Sequence, residues 1–193
     1  MELSSLIENR RAYRSLSPAI IDELLIADLA NSARLSPSCF NNQPWRYVFV
    51  YERGKLGELY EALTKGNRWA HKASLIVAVI SGEDYDCQIK GRNYYLFDTG
   101  MATAFMILRA TDHGLVAHPI AGFDEGKVKE TLGIPDRLTV ITLLIVGKHA
   151  GRIDSELSEK QISWENERPE RLPMERFVFH NSYSEGEANP HFS

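Results

Sequence analysis

Three arginines lie close together near the start of the chain, at Arg10, Arg11 and Arg14. A guanidinium binds phosphate or carboxylate oxygens through paired N–H groups and stays charged at every working pH. The same spacing is also typical of a solvated charge run at a helix end. The cluster therefore indicates anion binding as one of two interpretations.

An amide-rich loop follows, with Pro37, Ser38 and Asn41 between a helix-like and a strand-like segment. Asn and Gln side chains offer both donors and acceptors, as the edge of a flavin or nucleobase requires. Together with the arginines, this loop suggests a phosphorylated heteroaromatic ligand. These residue types also form ordinary turns. Cys39 within the loop fits a small packing residue better than a nucleophile.

Two further segments carry candidate residues. The first runs from His118 through Pro119 and Ala121 to Gly122, where glycine allows close backbone approach to a ligand or simply a strand-to-helix turn. The second holds the pair Arg168 and Arg171, which either completes an anion site or keeps a polar segment solvated.

Composition narrows the class of protein. The 193 residues carry a formal net charge of -4, which gives no electrostatic reason to expect a nucleic-acid partner. Two cysteines without a C-x-x-C pair predict no disulfide framework and favour a reducing, cytoplasmic setting. No histidine or cysteine spacing supports a metal site, and no signal peptide or membrane-spanning run is expected.

The elements that must position these residues follow from apolar periodicity. Helices are expected over residues 2–9, from Ser17-Pro18 to near Ser36, around Leu56–Leu63, over Tyr94–His113, and from Asp124 to Gly133. The long helix at Tyr94 is apolar almost all round, so we expect it at the centre or in a subunit interface. Strands are expected at Tyr47–Tyr51, Leu75–Ile80, from His118 and over Leu138–Gly147.

The last 45 residues or so are too polar to bury a core of their own. We expect an extended arm over residues 150–193, laid on the body or on a partner subunit, with a β-like island at Phe177–Phe179.

Taken in order, these segments make the chain resemble the FMN-dependent nitroreductase family. Arg10-Arg11-Ala12-Tyr13-Arg14 resembles its R-R-S-x-R segment, and Pro37, Ser38, Asn41, Gln43, Pro44 and Trp45 match its P-S-x-x-N-x-Q-P-W loop. Pro119–Phe123 is similar to its P-I-x-G-F turn, and Arg171–Glu175 to its closing R-x-P-x-E segment.

The resemblance implies a single α+β domain over residues 1–193: a three-layer α/β/α sandwich with a mostly antiparallel sheet, in an intertwined homodimer. It implies an enzyme in which NADH or NADPH reduces FMN at N5 and a nitroaromatic, quinone or similar small electron acceptor is then reduced, by ping-pong hydride transfer with no covalent nucleophile. The FMN-contacting positions it implies are Arg10, Arg11, Ala12, Arg14, Pro37, Ser38, Asn41, Pro119, Ala121, Gly122 and Arg171.

Two departures from the family pattern stand out. Ala12 replaces a serine and loses a hydroxyl contact, and Ala121 stands where the family often has a polar residue. Little chain is left for lid helices, so we expect an open site. A flavin-binding protein without turnover, or a specialised flavoenzyme such as a dehalogenase or ring dehydrogenase, remains an alternative.

Overall fold

The computed structural model describes residues 2–183. The helices are α1 (Leu3–Asn9), α2 (Glu23–Arg34), α3 (Arg53–Tyr60), α4 (Tyr94–Asp112), α5 (Glu125–Leu132) and α6 (Glu159–Asn166). The strands are β1 (Leu16–Ser17), β2 (Arg46–Val50), β3 (Leu75–Ser81), β4 (Gln88–Ile89), β5 (Arg92–Asn93), β6 (Val116–Ile120) and β7 (Thr139–His149). Short 3₁₀ helices lie at Cys39–Asn41, Lys65–Lys72, Glu83–Tyr85 and Met174–Arg176.

A five-stranded sheet forms the centre of the molecule, and every pairing in it is antiparallel. The long strand β7 pairs with β3 and β6, and with β1 at its end, while β2 pairs with the far edge of β3. β4 and β5 form a separate hairpin. Because β3 and β7 are covered on both faces, their sequences are continuous apolar runs and not alternating ones.

Alternate residues of β3 lie in two different cores. Leu75, Val77 and Val79 pack with α2 and α4 on one face, whereas Ile76, Ala78 and Ile80 pack with α3 and α5 on the other. This period of two follows from the pleat of a strand. The predicted α/β/α sandwich is confirmed, with a sheet that is fully antiparallel. Across the described residues, no helix combines the length and apolar character needed to cross a membrane.

Most element predictions are confirmed, and the second helix is the main exception. It begins at Glu23 and not at Ser17-Pro18, because the Asp22 side chain caps it by accepting the Leu25 N–H at 2.8 Å. Upstream, the Ala19 N–H donates to the Ser74 hydroxyl at 2.8 Å, and Ser17 pairs with β7, so this stretch is held extended.

The C-terminal segment also differs from its expected form. The described part is not extended throughout, since Glu159–Asn166 form a helix that begins with a capping box between Ser158 and Gln161. Phe177 follows a 3₁₀ turn, and no strand forms at 177–179. Residues 184–193 of the expected arm lie outside the described residues, and packing of the arm on a partner subunit stays a prediction.

His118 on β6 is buried in the sheet, with its ring 4.8 Å from that of Trp69. Its Nδ1–H donates to the Tyr13 carbonyl at 3.0 Å. Burial, opposed by that hydrogen bond and assisted by the nearby guanidinium of Arg14, lowers the pKa of His118 from 6.5 to about 4. The ring is therefore neutral at neutral pH.

This burial predicts a specific loss of stability in acid. Since the unfolded histidine titrates at 6.5 and the folded one at about 4, protons bind preferentially to the unfolded chain as pH falls between these values. The wild type should lose about 2–3 kcal/mol of unfolding free energy more than His118→Asn between about pH 7 and pH 4.5. Urea unfolding at both pH values measures this difference. Equal losses in the two proteins would contradict it.

Candidate functional site

The arginine segment and the C-terminal segment meet in one cavity of about 250 Å3. Its lining residues are Arg10, Arg11, Ala12, Arg14, Trp164, Arg168, Pro169 and Arg171. Five of these were named from the sequence as cofactor-contacting positions. The structure thus brings together two segments that are separated by about 150 residues in the chain. Sequence periodicity could not have indicated a contact over such a separation.

Glu165 on α6 ties these two segments together. Its carboxylate is buried and accepts the N–H of Arg14 at 2.6 Å and the N–H of Ser15 at 3.1 Å. These charge-assisted bonds satisfy the carboxylate with backbone groups. Glu165 therefore fixes the course of the arginine segment without pairing directly with a guanidinium.

The arginines divide into two groups by what they already bind. Arg11 donates to the carbonyls of Trp164 at 2.7 Å and Glu165 at 3.3 Å. Arg168 donates to the carbonyls of Glu8 and Arg10, the latter at 2.9 Å. These two guanidiniums hold the C-terminal segment against the N-terminal one.

The guanidiniums of Arg10, Arg14 and Arg171 donate no hydrogen bond to any described residue. Burial lowers the pKa of Arg10, and the neighbouring charges of Arg168, Arg171 and Arg11 lower it further. Burial also lowers the pKa of Arg14, although Glu165 opposes this. Arg14 instead lies over the Trp164 ring at 5.3 Å. Unpaired, mutually repelling cations in a cavity favour a bound anion.

The other predicted site residues do not line this cavity. Pro37, Ser38 and Asn41 belong to a loop on another part of the chain, where the Ser38 hydroxyl accepts the Gln43 N–H at 3.0 Å. Asn41 has a φ of 59°, in the left-handed region that Asn tolerates better than most residues. The loop is thus a tightly folded turn whose amide side chains remain accessible.

Pro119, Ala121 and Gly122 lie at and beyond the end of β6. The Gly122 carbonyl accepts the Asn67 side-chain N–H at 2.9 Å and the Thr64 hydroxyl at 3.1 Å. A Cβ on Gly122 would stand 2.6 Å from Asn67 Nδ2 and 2.7 Å from Thr64 Oγ1. Glycine thus lets two side chains of the same chain approach its backbone closely, a role that differs from both interpretations of the sequence.

Cys39 and Cys87 form a disulfide, which the sequence did not lead us to expect. The tertiary fold brings together cysteines that are 48 residues apart and belong to no local motif. Cys39 consequently has no free thiol with which to act as a nucleophile. The bond connects the loop of Ser38 and Asn41 to the segment that follows Glu83–Tyr85.

A larger cavity, of about 820 Å3, lies between β1, the start of α3 and residues 150–155, and none of the predicted site residues lines it. The cations Arg53, Lys72 and Arg152 line it, and Lys72 is paired with the buried carboxylate of Asp154 at 2.7 Å. The arginine cavity differs from it in having five guanidiniums and no acidic residue in its lining.

Comparison with known proteins gives a consistent result. The sequence matches the model of the nitroreductase family over residues 7–85 and 56–148. It is 34% identical over 118 residues to an uncharacterised 15.4 kDa protein of Mycolicibacterium smegmatis, covering 61% of this chain and 76% of that one. It is 27% identical to an Archaeoglobus fulgidus protein provisionally named NADH dehydrogenase/NAD(P)H nitroreductase, covering 76% and 84%.

Solved structures share the fold. A crystal structure described as an oxidoreductase containing FMN aligns with a TM-score of 0.81 at 24% identity, over 95% of this chain and 94% of that one. A nitroreductase-type protein of Exiguobacterium sibiricum in complex with FMN aligns with a TM-score of 0.70 at 21% identity, over 84% and 96%.

The packing around Gly122 predicts a large difference between two glycine substitutions. Gly122→Ala should cost about 1–3 kcal/mol of unfolding free energy, because its Cβ overlaps Asn67 and Thr64. Gly126→Ala within α5 is the matched control, since its Cβ meets only Asp124 Oδ1 at 3.4 Å and alanine favours a helix. Thermal or urea unfolding measures both, and equal stabilities would refute the close approach.

Proposed function

This chain belongs to the nitroreductase family of oxidoreductases, and we propose that it binds FMN and uses NADH or NADPH to reduce small electrophilic acceptors such as nitroaromatics or quinones. The observation that carries this proposal is the arginine cavity, with its unpaired guanidiniums at Arg10, Arg14 and Arg171. Two of the structural neighbours contain FMN, and the Archaeoglobus fulgidus relative is provisionally named an NAD(P)H nitroreductase.

The cavity fits the phosphate end of such a cofactor. Its volume of about 250 Å3 is below the roughly 300–1,000 Å3 of a complete small-molecule site, so a flavin ring has to extend beyond it. Arg10, Arg14 and Arg171 would bind the phosphate, because their N–H groups are uncommitted. Arg11 would act indirectly by holding α6, and Ala12 would offer only its backbone.

A second copy of the chain is the proposed source of the missing walls. Within one chain, the loop of Pro37, Ser38 and Asn41 does not line the arginine cavity. Large apolar side chains are exposed on α1 and α4, including Ile7 at 54% and Phe97 at 63%. Contiguous exposed apolar residues are typical of subunit interfaces. We therefore propose a homodimer in which the partner's copy of this loop contacts the flavin ring.

When bound, FMN would supply the chemistry, by accepting a hydride from the nicotinamide and passing it to the acceptor in alternate, ping-pong half-reactions. The residues of the chain bind and orient. Asn41 and the backbone from Pro119 through Ala121 to Gly122 would provide the polar contacts to the ring, and no side chain is required as a covalent nucleophile. Because its reductant comes from the nicotinamide pool of the cell, we propose a cytoplasmic enzyme.

Anaerobic reduction tests the function directly. Protein incubated with FMN and then desalted should stay yellow and should bleach on addition of NADH or NADPH, followed by recovery of colour with a quinone. Protein that takes up no FMN would refute the proposal. Yellow protein that neither nucleotide bleaches would instead indicate a flavin-binding protein without turnover.

Substitutions of an unpaired arginine and of Arg11, which holds α6, should have different effects on FMN binding and on stability. Arg14→Gln should weaken FMN binding about 10–100-fold, the equivalent of one charged hydrogen bond, with little change in melting temperature. Arg11→Gln should instead lower the melting temperature, because it removes the bonds to Trp164 and Glu165. The measurements are fluorescence titration with FMN and thermal unfolding.

The exposed Arg34 at the end of α2 provides the matched control, and Arg34→Gln should alter neither quantity. Unchanged FMN affinity in Arg14→Gln would remove this arginine from the phosphate site.

A further inference from the structure

Two loops place sulfur and carboxylate groups at one point outside the arginine cavity. Cys39 comes from the 3₁₀ turn Cys39–Asn41, and Asp86 and Cys87 follow the 3₁₀ turn Glu83–Tyr85. One ligand atom from each of Cys39, Asp86 and Cys87 lies within 4.8 Å of the others. All three residues are only half-buried, so the group is accessible from solvent.

This group is rich in hydrogen-bond acceptors. Asp86 Oδ2 is shielded from solvent and receives no hydrogen bond from a described residue. The carboxyl of Asp98, a residue that is only 2% exposed, also lies beside this group, because it accepts the Cys39 N–H. Carboxylates so close repel each other unless a proton or a cation lies beside them. The group therefore has the charge that a metal ion would balance.

We propose that Cys39, Cys87 and Asp86 form a binding site for Zn2+ once the disulfide is reduced to two thiols. Thiolate sulfur together with carboxylate oxygen is a ligand set that suits Zn2+. Water would take the fourth position of a tetrahedral site. The proposal does not depend on flavin binding.

Neighbouring groups already orient these ligands. The Asn42 amide donates to Asp86 Oδ1 at 3.2 Å and to Cys87 Sγ at 3.4 Å. The Cys39 N–H donates to Asp98 Oδ2 at 2.6 Å, which fixes the backbone that carries one sulfur. Hydrogen bonds of this kind hold metal ligands in place and raise affinity.

The chemistry balances with an ordinary thiol reductant. Two thiol molecules give two electrons and two protons to the disulfide and become a disulfide themselves, which leaves Cys39 and Cys87 as thiols. Zn2+ then displaces both thiol protons and binds the two thiolates. In a reducing compartment the dithiol, and hence the metal site, would prevail.

Metal content of the full chain tests the site. The protein is reduced with a phosphine, incubated with Zn2+ and desalted. In the reduction the phosphine gains the oxygen of one water molecule, and the two sulfurs gain its hydrogens. The reduced protein should retain one Zn2+ per chain more than protein oxidised with diamide. Thiol titration confirms the redox state of each sample. The oxidised sample serves as the control and has the same sequence as the reduced one.

Variants identify the ligands. Reduced Cys87→Ser should lose the additional Zn2+, and Asn42→Ala should bind it about 10–100-fold more weakly. Asp86→Asn should weaken binding at least as much, whereas Asp84→Asn, at an exposed neighbouring carboxylate, should bind as the wild type does. Thermal unfolding checks that each variant is folded.

Two outcomes would overturn the proposal. One is reduced wild type, with both thiols titratable, that retains no more Zn2+ than the oxidised form. The other is a folded Cys87→Ser variant that binds as tightly as the wild type. Unchanged affinity in Asp86→Asn would overturn the assigned ligand set, because a carboxylate oxygen is part of it.

Discussion

The arginine cavity depends on one buried carboxylate. Glu165 accepts the backbone N–H groups of Arg14 and Ser15, and this fixes α6 against the segment that carries the arginines. Without such an anchor, five guanidiniums would repel each other and the C-terminal segment would have little apolar surface to hold it. Because backbone donors satisfy this carboxylate, it holds the two segments together and leaves the positive charge of the cavity available for a ligand.

The burial of the sheet on both faces gives this anchor a rigid support. β3 and β7 are buried on both sides, so the strand that leads to His149 has a fixed position. The ring of His149 stacks on Tyr13 with centroids 3.8 Å apart, next to Arg14. The sheet thus positions the arginine segment through the stacking of His149 on Tyr13, and α6 holds the same segment through Glu165.

Much of the fold could be predicted from local patterns because the residues that specify it act locally. Asp124 caps α5 through the Lys127 N–H, and Gly133 ends it in the left-handed conformation, as the sequence indicated. The apolar runs at Leu75 and Leu138 became the two central strands. The predictions failed at two places. Because Ser17 pairs with β7, α2 begins later in the sequence than expected. The capping box at Ser158 begins a helix in a segment that was expected to be extended.

The sequence by itself determined which residue types are available for chemistry and in what order, and these sufficed to identify the family. Only the tertiary structure decided which of them act together, because the groups that meet are far apart in the chain. It separated Arg10, Arg14 and Arg171, whose guanidiniums are unpaired, from Arg11, which holds α6. It also joined Cys39 to Cys87 and brought Asp86 to them, a combination with no local spacing to indicate it.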